Sequence, residues 1–133
     1  GNKQVHRNVG RSVSTKDITA AEFNGIISDN DIVLVDFWAS WCGPCRAFAP
    51  TFTASSEKHP DVFHAKVDTE AEQALASAAE IQAIPTLMAF KKGQLVFRHS
   101  GMLAANQLDE VISQIKEFDI DAAMAEKGDA TDA

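Results

Sequence analysis

The sequence predicts an α/β fold in which a central mixed β-sheet carries helices on both faces. Strand-like and helix-like segments alternate through the first two thirds of the chain. Residues 32–39 are apolar at nearly every position, which is typical of a central strand covered on both faces. Two short strand segments then flank residues 91–94, the pattern of an antiparallel hairpin. Helical crossovers followed by a hairpin give a sheet of mixed direction.

The early elements follow from capping and turn residues. Residues 15–18 predict a short first strand. Thr19 is a candidate N-cap because Glu22 stands three residues later, which makes a capping box. The helix that follows is predicted to end near Ile27, before a polar turn cluster. A helix after Cys42 places apolar side chains on one face, and Pro50 inside it predicts a kink.

The later elements are predicted from periodicity. Residues 62–68 predict a strand, and the alanine-rich residues 70–80 predict a helix. The hairpin strands are predicted over residues 86–90 and 95–98. The last predicted helix covers about residues 104–118, with an apolar face at helical spacing. That face comprises Leu108, Val111, Ile112, Ile115 and Phe118.

Length and charge limit the function classes. The chain has 133 residues and a net charge of −7, which predicts one main domain and argues against nucleic acid as a partner. No apolar run is long enough for a membrane span. We divide the chain into a basic N-terminal arm over residues 1–14, a domain over residues 15–118 and an acidic tail over residues 119–133. The arm starts with Gly, as a cloning remnant or a processed end would, and the tail is predicted to be frayed.

The only two cysteines, Cys42 and Cys45, lie two residues apart in a WCGPC segment between a predicted strand and a predicted helix. A cysteine at a helix N-terminus has a lowered pKa, because the helix dipole and free N–H groups stabilise its thiolate. The first thiol is expected to be exposed and to attack. The second is expected to be more buried and to close a disulfide one turn later. Pro44 fits the first helical turn, where its missing N–H is harmless, and Gly43 permits a tight turn.

A structural disulfide and a metal site are the alternatives for this pair. A disulfide that closes so short a loop constrains the unfolded chain little. Zinc needs four ligands, and the four histidines show no matching spacing, so a metal site would require a second chain. These histidines are His6, His59, His64 and His99. A redox pair in a reducing cytosol is therefore the favoured interpretation.

Asp36 interrupts the apolar strand and shares a face with Leu34 and Trp38. Carboxylates are rarely buried without a partner, and burial raises their pKa, so Asp36 is a candidate proton acceptor for Cys45. Lys66 is the candidate charge partner. The alternatives are an aspartate at a strand edge facing water and a solvated strand lysine.

The chain resembles the thioredoxin family in four segments that occur in the right order. Residues 35–46, VDFWASWCGPCR, are similar to its active-site segment, and residues 49–50 match its helix-kinking proline. Residues 84–86, Ile-Pro-Thr, match its cis-proline loop, and residues 90–93 match its hairpin turn. The resemblance covers residues 15–118 and implies the thioredoxin fold.

The resemblance also implies residue roles. Cys42 would be the nucleophile and Cys45 the resolving cysteine, with Asp36 as the buried acid/base group and Lys66 near it. Pro85 would be cis and pack against the disulfide, although base rates alone favour a trans bond. The Ile84 backbone would pair with an extended client segment. The other groove residues would be Trp41, Gly43, Pro44, Gly101 and Met102, of which Met102 departs, with Ser100, from the small apolar residues common there.

The implied function is general protein-disulfide reduction through a mixed disulfide. The implied partners are thioredoxin reductase and disulfide-containing clients, with no bound cofactor or metal, and a cytoplasmic monomer is expected. Because Gly43-Pro44 supplies no cation to stabilise the thiolate, a reductant is favoured. The alternatives are a binding module without turnover, and an oxidase or isomerase.

Overall fold

The structure, a computed structural model, describes residues 14–132, so nearly all of the predicted arm lies outside the described residues. Five strands form one sheet in the order β1-β3-β2-β4-β5. The strands are β1 (Thr15–Asp17), β2 (Ile32–Trp38), β3 (Phe63–Asp68), β4 (Thr86–Lys91) and β5 (Gln94–Ser100). The helices are α1 (Ala20–Asp29), α2 (Gly43–Lys58), α3 (Gln73–Ala78), α4 (Ala105–Glu117) and α5 (Ile120–Asp132).

The sheet is mixed, as the sequence predicts. The central strand β2 pairs in parallel with β3 and antiparallel with β4, and β4 pairs antiparallel with β5. Lys92 and Gly93 form the two-residue hairpin loop, and both have positive φ, of 50° and 81°. A loop of this kind matches the right-handed twist of the flanking strands. The β4–β5 hairpin is therefore closed as predicted.

Apolar side chains of β2 alternate between two cores, one on each face of the sheet. Leu34 packs with Phe48 and Phe52 of α2 and with the buried face of α4. Val33 and Val35 pack on the opposite face with α1. The strand is therefore covered on both sides, and its C-terminal end leads directly into the cysteine segment.

Three predicted elements differ from the structure. The alanine-rich helix is shorter than predicted, and α3 buries none of its residues. Phe118 does not complete the buried face of α4, because the helix ends at Glu117 and Phe118 is 44% exposed. Residues 120–132 form a helix rather than a frayed tail. Ile120 anchors that helix, because its side chain is buried against the domain.

A histidine that sequence patterns did not explain is buried between β3 and α2. The His64 imidazole is 1% exposed, with Nδ1 2.9 Å from the Val62 carbonyl and Nε2 3.0 Å from the Ser55 hydroxyl. Since a carbonyl only accepts, Nδ1 carries the proton and Ser55 donates to Nε2. Burial lowers the pKa of His64 from 6.5 to about 4.

We expect this histidine to make the fold sensitive to acid. Because the pKa of His64 is lowered in the fold, its contribution to the free energy of unfolding is complete above pH 6.5 and is lost as the pH falls toward 4. At about 1.4 kcal/mol for each pH unit by which the pKa is lowered, the free energy of unfolding falls by about 3 kcal/mol. Urea unfolding at pH 4 and pH 7 measures it in the wild type and in a Ser55→Ala/His64→Val double variant, which leaves no unpaired hydroxyl. An equal pH dependence in both proteins would contradict the expectation.

Candidate functional site

The two cysteines are joined in a disulfide at the N-terminus of α2. Cys42 is the N-cap residue, and the backbone N–H of Cys45 donates to its Sγ at 3.1 Å. Pro44 lies in the first helical turn, as predicted. The helix dipole therefore points its positive end at Cys42, which is the arrangement that favours a thiolate there after reduction.

The predicted difference in exposure between the two cysteines is wrong for this disulfide state. Cys42 is 4% exposed and Cys45 is 3% exposed. Ala39, Trp38 and Ile84 pack around the pair, and the Ile84 carbonyl oxygen lies 3.7 Å from Cys42 Sγ. Cys42 is therefore covered by Cys45 and by the segment around Ile84, which forms a wall facing the disulfide.

That wall is the loop before β4, in which the Ile84–Pro85 peptide bond is cis, as the resemblance implies. Pro85 is buried, and its carbonyl accepts a hydrogen bond from the Gly101 N–H at 2.8 Å. Thr86 donates its hydroxyl to the Ala83 carbonyl. The loop is therefore tied to both hairpin strands beside the disulfide.

The two site glycines differ in what their backbone positions require. Gly101 has φ +104°, so its backbone conformation requires glycine, whereas a Cβ there would meet no atom closer than 3.9 Å. Gly43 has no positive φ, and a Cβ there would meet no atom within 4 Å among the described residues. Gly43 therefore keeps open surface next to the disulfide rather than a tight turn.

Two large apolar side chains are exposed in segments that adjoin the disulfide. Trp41, directly before Cys42, is 64% exposed, and Met102, directly after Gly101, is 45% exposed. The Trp41 indole donates a hydrogen bond to the Glu70 carboxylate. Sequence reasoning missed Glu70, because nothing in the local pattern relates it to a tryptophan 29 positions earlier.

Asp36 is buried, as predicted. It is 1% exposed, its Oδ1 has no hydrogen-bond partner among the described residues, and it lies on the sheet face that α2 covers. Desolvation raises the pKa of Asp36 from 3.8 to about 7, although the charge of Lys66 lowers it in part. A carboxyl group with this pKa can accept and release a proton near neutral pH.

Lys66 is the neighbour of Asp36 in the β2–β3 register, but the two form no ion pair within 4 Å in the described part of the chain. Its ammonium lies instead over the Trp38 ring, 5.1 Å from the centroid. Lys66 therefore influences Asp36 through its charge and not through direct pairing.

The described residues contain no group of side chains arranged to hold a metal ion. Within residues 14–132, no helix is both long and apolar enough to cross a membrane. The hydrogen-bond partner of His59 is Asp109, and those of His64 are Ser55 and Val62.

Known proteins resemble this chain in both fold and sequence. A Streptomyces coelicolor protein described as a thioredoxin is 44% identical over 108 residues, which cover 81% of each chain. The structure of a mutant thioredoxin from Halobacterium salinarum superposes with a TM-score of 0.74 at 34% identity. The match covers 82% of this chain and 97% of that one.

Another solved structure concerns how a yeast mitochondrial 1-Cys peroxiredoxin has its thiol resolved by glutathione and thioredoxin systems. It matches with a TM-score of 0.71 at 32% identity, over 77% of this chain and 97% of that one. The thioredoxin family model matches residues 14–116, the range that holds the sheet and the disulfide site. The chain therefore belongs to the thioredoxin family and is a thiol-disulfide oxidoreductase with Cys42 and Cys45 as its redox-active pair.

Proposed function

We propose that this protein is a general protein-disulfide reductase. The observation that carries the proposal is the Cys42–Cys45 disulfide at the α2 N-terminus, facing the Ile84 carbonyl. A disulfide in this position exchanges electrons with a client without a bound cofactor. The described structure is then the oxidised product state of the reaction.

The reaction has two exchange steps. In the reduced protein, the Cys42 thiolate attacks a client disulfide, so one client sulfur leaves as a thiolate and a mixed disulfide forms. Cys45 then loses its proton to Asp36 and attacks Cys42 Sγ, which releases the second client sulfur. Two electrons pass to the client, and the Cys42–Cys45 bond is re-formed. The Cys45 N–H, which donates to Cys42 Sγ, supports negative charge on that sulfur.

The client groove is proposed to lie over the disulfide. The Ile84 backbone pairs with an extended client segment, as in strand addition. Trp41 and Met102 provide exposed apolar surface in the segments that adjoin the disulfide. Gly43, Pro44, Pro85 and Gly101 leave the floor free of long side chains. Clients include peroxiredoxins, on the ground that a related structure concerns one.

A thioredoxin reductase is proposed to recycle the dithiol in the cytoplasm. After each turnover the Cys42–Cys45 disulfide must take up two electrons and two protons before the next client is reduced, and supplying those electrons is the role assigned to the reductase. The protein is proposed to act as a monomer, because one chain already holds the cysteine pair, Asp36 and the Ile84 wall.

The direction of electron flow is tested by a glutathione redox titration of the cysteine pair. Gly43-Pro44 places no cation between the cysteines, so we expect a potential close to about −270 mV, the value known for thioredoxin. Isomerases lie near about −180 mV. A value in the isomerase range would contradict the reductase and favour an oxidase or isomerase.

A further inference from the structure

Arg98 binds the end of a helix that leads to the site. It lies opposite Met88 in the β4–β5 pairing, and its guanidinium donates two hydrogen bonds to successive backbone carbonyls. Nη1 lies 2.7 Å from the Ala79 oxygen, and Nη2 lies 2.6 Å from the Glu80 oxygen. The exchange chemistry described above assigns this arginine no role.

The backbone that Arg98 holds is in a conformation that glycine normally adopts. Glu80 has φ +58°, and it closes α3 with bonds from the Glu80 N–H to Ser77 and from the Ile81 N–H to Ala76. Such helix ends usually carry glycine at this position. A strained residue persists where its surroundings hold it in place. Arg98 supplies that hold by binding the carbonyls on either side of the Glu80 N–Cα–C unit.

The turn at Glu80 is close in sequence to Ile84, whose backbone is proposed to pair with the client. Only residues 81–83 separate Glu80 from Ile84, and Ile81 packs against the core below β4. At the other end, Thr86 is fully buried in β4. The wall is therefore a short segment anchored on two sides, and Arg98 is the anchor on the α3 side.

We propose that Arg98 is a positioning residue that holds the Ile84 backbone in the place where it pairs with a client. This inference rests on the proposed protein-disulfide reduction. It predicts a selective effect, because a small disulfide has no backbone to pair with Ile84, whereas an extended client segment does. Arg98 bonds to the Ala79 and Glu80 carbonyls and contacts neither cysteine among the described residues, so its loss is expected to weaken client binding and to leave the sulfur chemistry unchanged.

The test is an Arg98→Met variant, which keeps the aliphatic part of the side chain and removes the guanidinium group that binds the two carbonyls. With insulin as client, in an assay coupled to thioredoxin reductase, we expect KM to rise roughly tenfold. We expect kcat, and the rate with the small aromatic disulfide 5,5′-dithiobis(2-nitrobenzoate), to stay within about twofold of wild type. The redox potential is measured alongside and is expected to stay unchanged.

Three further variants sharpen the test. Lys116→Met removes the same charge from an exposed side chain that pairs with Asp61, and it is expected to change nothing. Arg98→Lys keeps the charge without the planar fork, so it is expected to recover only part of the client KM. Glu80→Gly in the Arg98→Met background removes the strained conformation, and it is expected to lower the KM again.

Equal losses with insulin and with the small disulfide would overturn the proposal, since they indicate a general structural defect. An unchanged insulin KM in Arg98→Met would also overturn it. If Arg98→Met does not fold, the same comparison with Arg98→Lys decides. A wild-type protein that reduces the small disulfide and not insulin would overturn the proposed function itself.

Discussion

Replacing Cys42 by serine is expected to abolish the reduction of protein disulfides. The Cys42 thiolate is the proposed nucleophile, and a serine hydroxyl is not ionised near neutral pH and cannot replace it. Removing a nucleophile that acts as part of a unit costs the reaction at least about 10³-fold. Insulin turbidity with dithiothreitol as electron donor measures the effect. A variant as fast as the wild type would contradict the proposed mechanism.

Cys45→Ser is the matched control, because it has the same change in composition three residues away. It retains the attacking thiol, so it is expected to form the mixed disulfide and then fail to release the client. A covalent adduct that dithiothreitol cleaves should therefore accumulate with Cys45→Ser and not with Cys42→Ser. Adducts of similar amount on both variants would mean that either cysteine attacks first, and would contradict the assigned order.

Much of the fold is predictable because its signals are local. The apolar run of β2, the Thr19 capping box and the hairpin turn each depend on a few neighbouring residues, and each appears in the structure. The helical tail is the exception. The Asp119 carboxylate caps its first turn, but the helix is held to the domain by the buried Ile120 side chain, and that contact is not visible in an acidic, alanine-rich pattern.

In the site, the residues of one segment are predictable from the sequence, whereas the contacts between distant segments are not. The closely spaced cysteines and the buried aspartate are visible in one segment, because the CxxC spacing and an interrupted apolar run reveal them. The contacts of Trp41 with Glu70 and of Arg98 with Glu80 join segments 29 and 18 residues apart, so no local pattern contains them. The cis bond before Pro85 was predicted from family resemblance and not from the residues themselves.

Asp36→Asn is expected to stabilise the oxidised protein strongly at neutral and alkaline pH. The pKa of Asp36 is raised from 3.8 to about 7 in the fold. Because the pKa of Asp36 is raised in the fold, its favourable contribution to the free energy of unfolding is complete below pH 3.8 and is lost as the pH rises through 7. The loss is about 4 kcal/mol, at about 1.4 kcal/mol per unit. Asparagine has nearly the same shape and never ionises, so it avoids this loss.

Denaturant unfolding of wild type and Asp36→Asn between pH 4 and pH 8 measures this difference. We expect the two stabilities to converge at pH 4 and to separate by about 4 kcal/mol at pH 8. His64 titrates with the opposite sign over part of this range, but it is present in both proteins and cancels in the difference. A constant difference at every pH would contradict the assigned pKa, because it would mean that the effect of Asp36 is one of packing.

The same substitution separates stability from catalysis. The asparagine side chain of the Asp36→Asn variant cannot accept the Cys45 proton, so release of the client from the mixed disulfide is expected to slow by at least about tenfold at pH 7. The slowed step should recover as the pH rises, since hydroxide then deprotonates Cys45 without help. Single-turnover release from a preformed mixed disulfide measures this step alone. A carboxylate that destabilises the fold and speeds that step has a functional reason to be buried, whereas unchanged release at every pH would leave its burial without one.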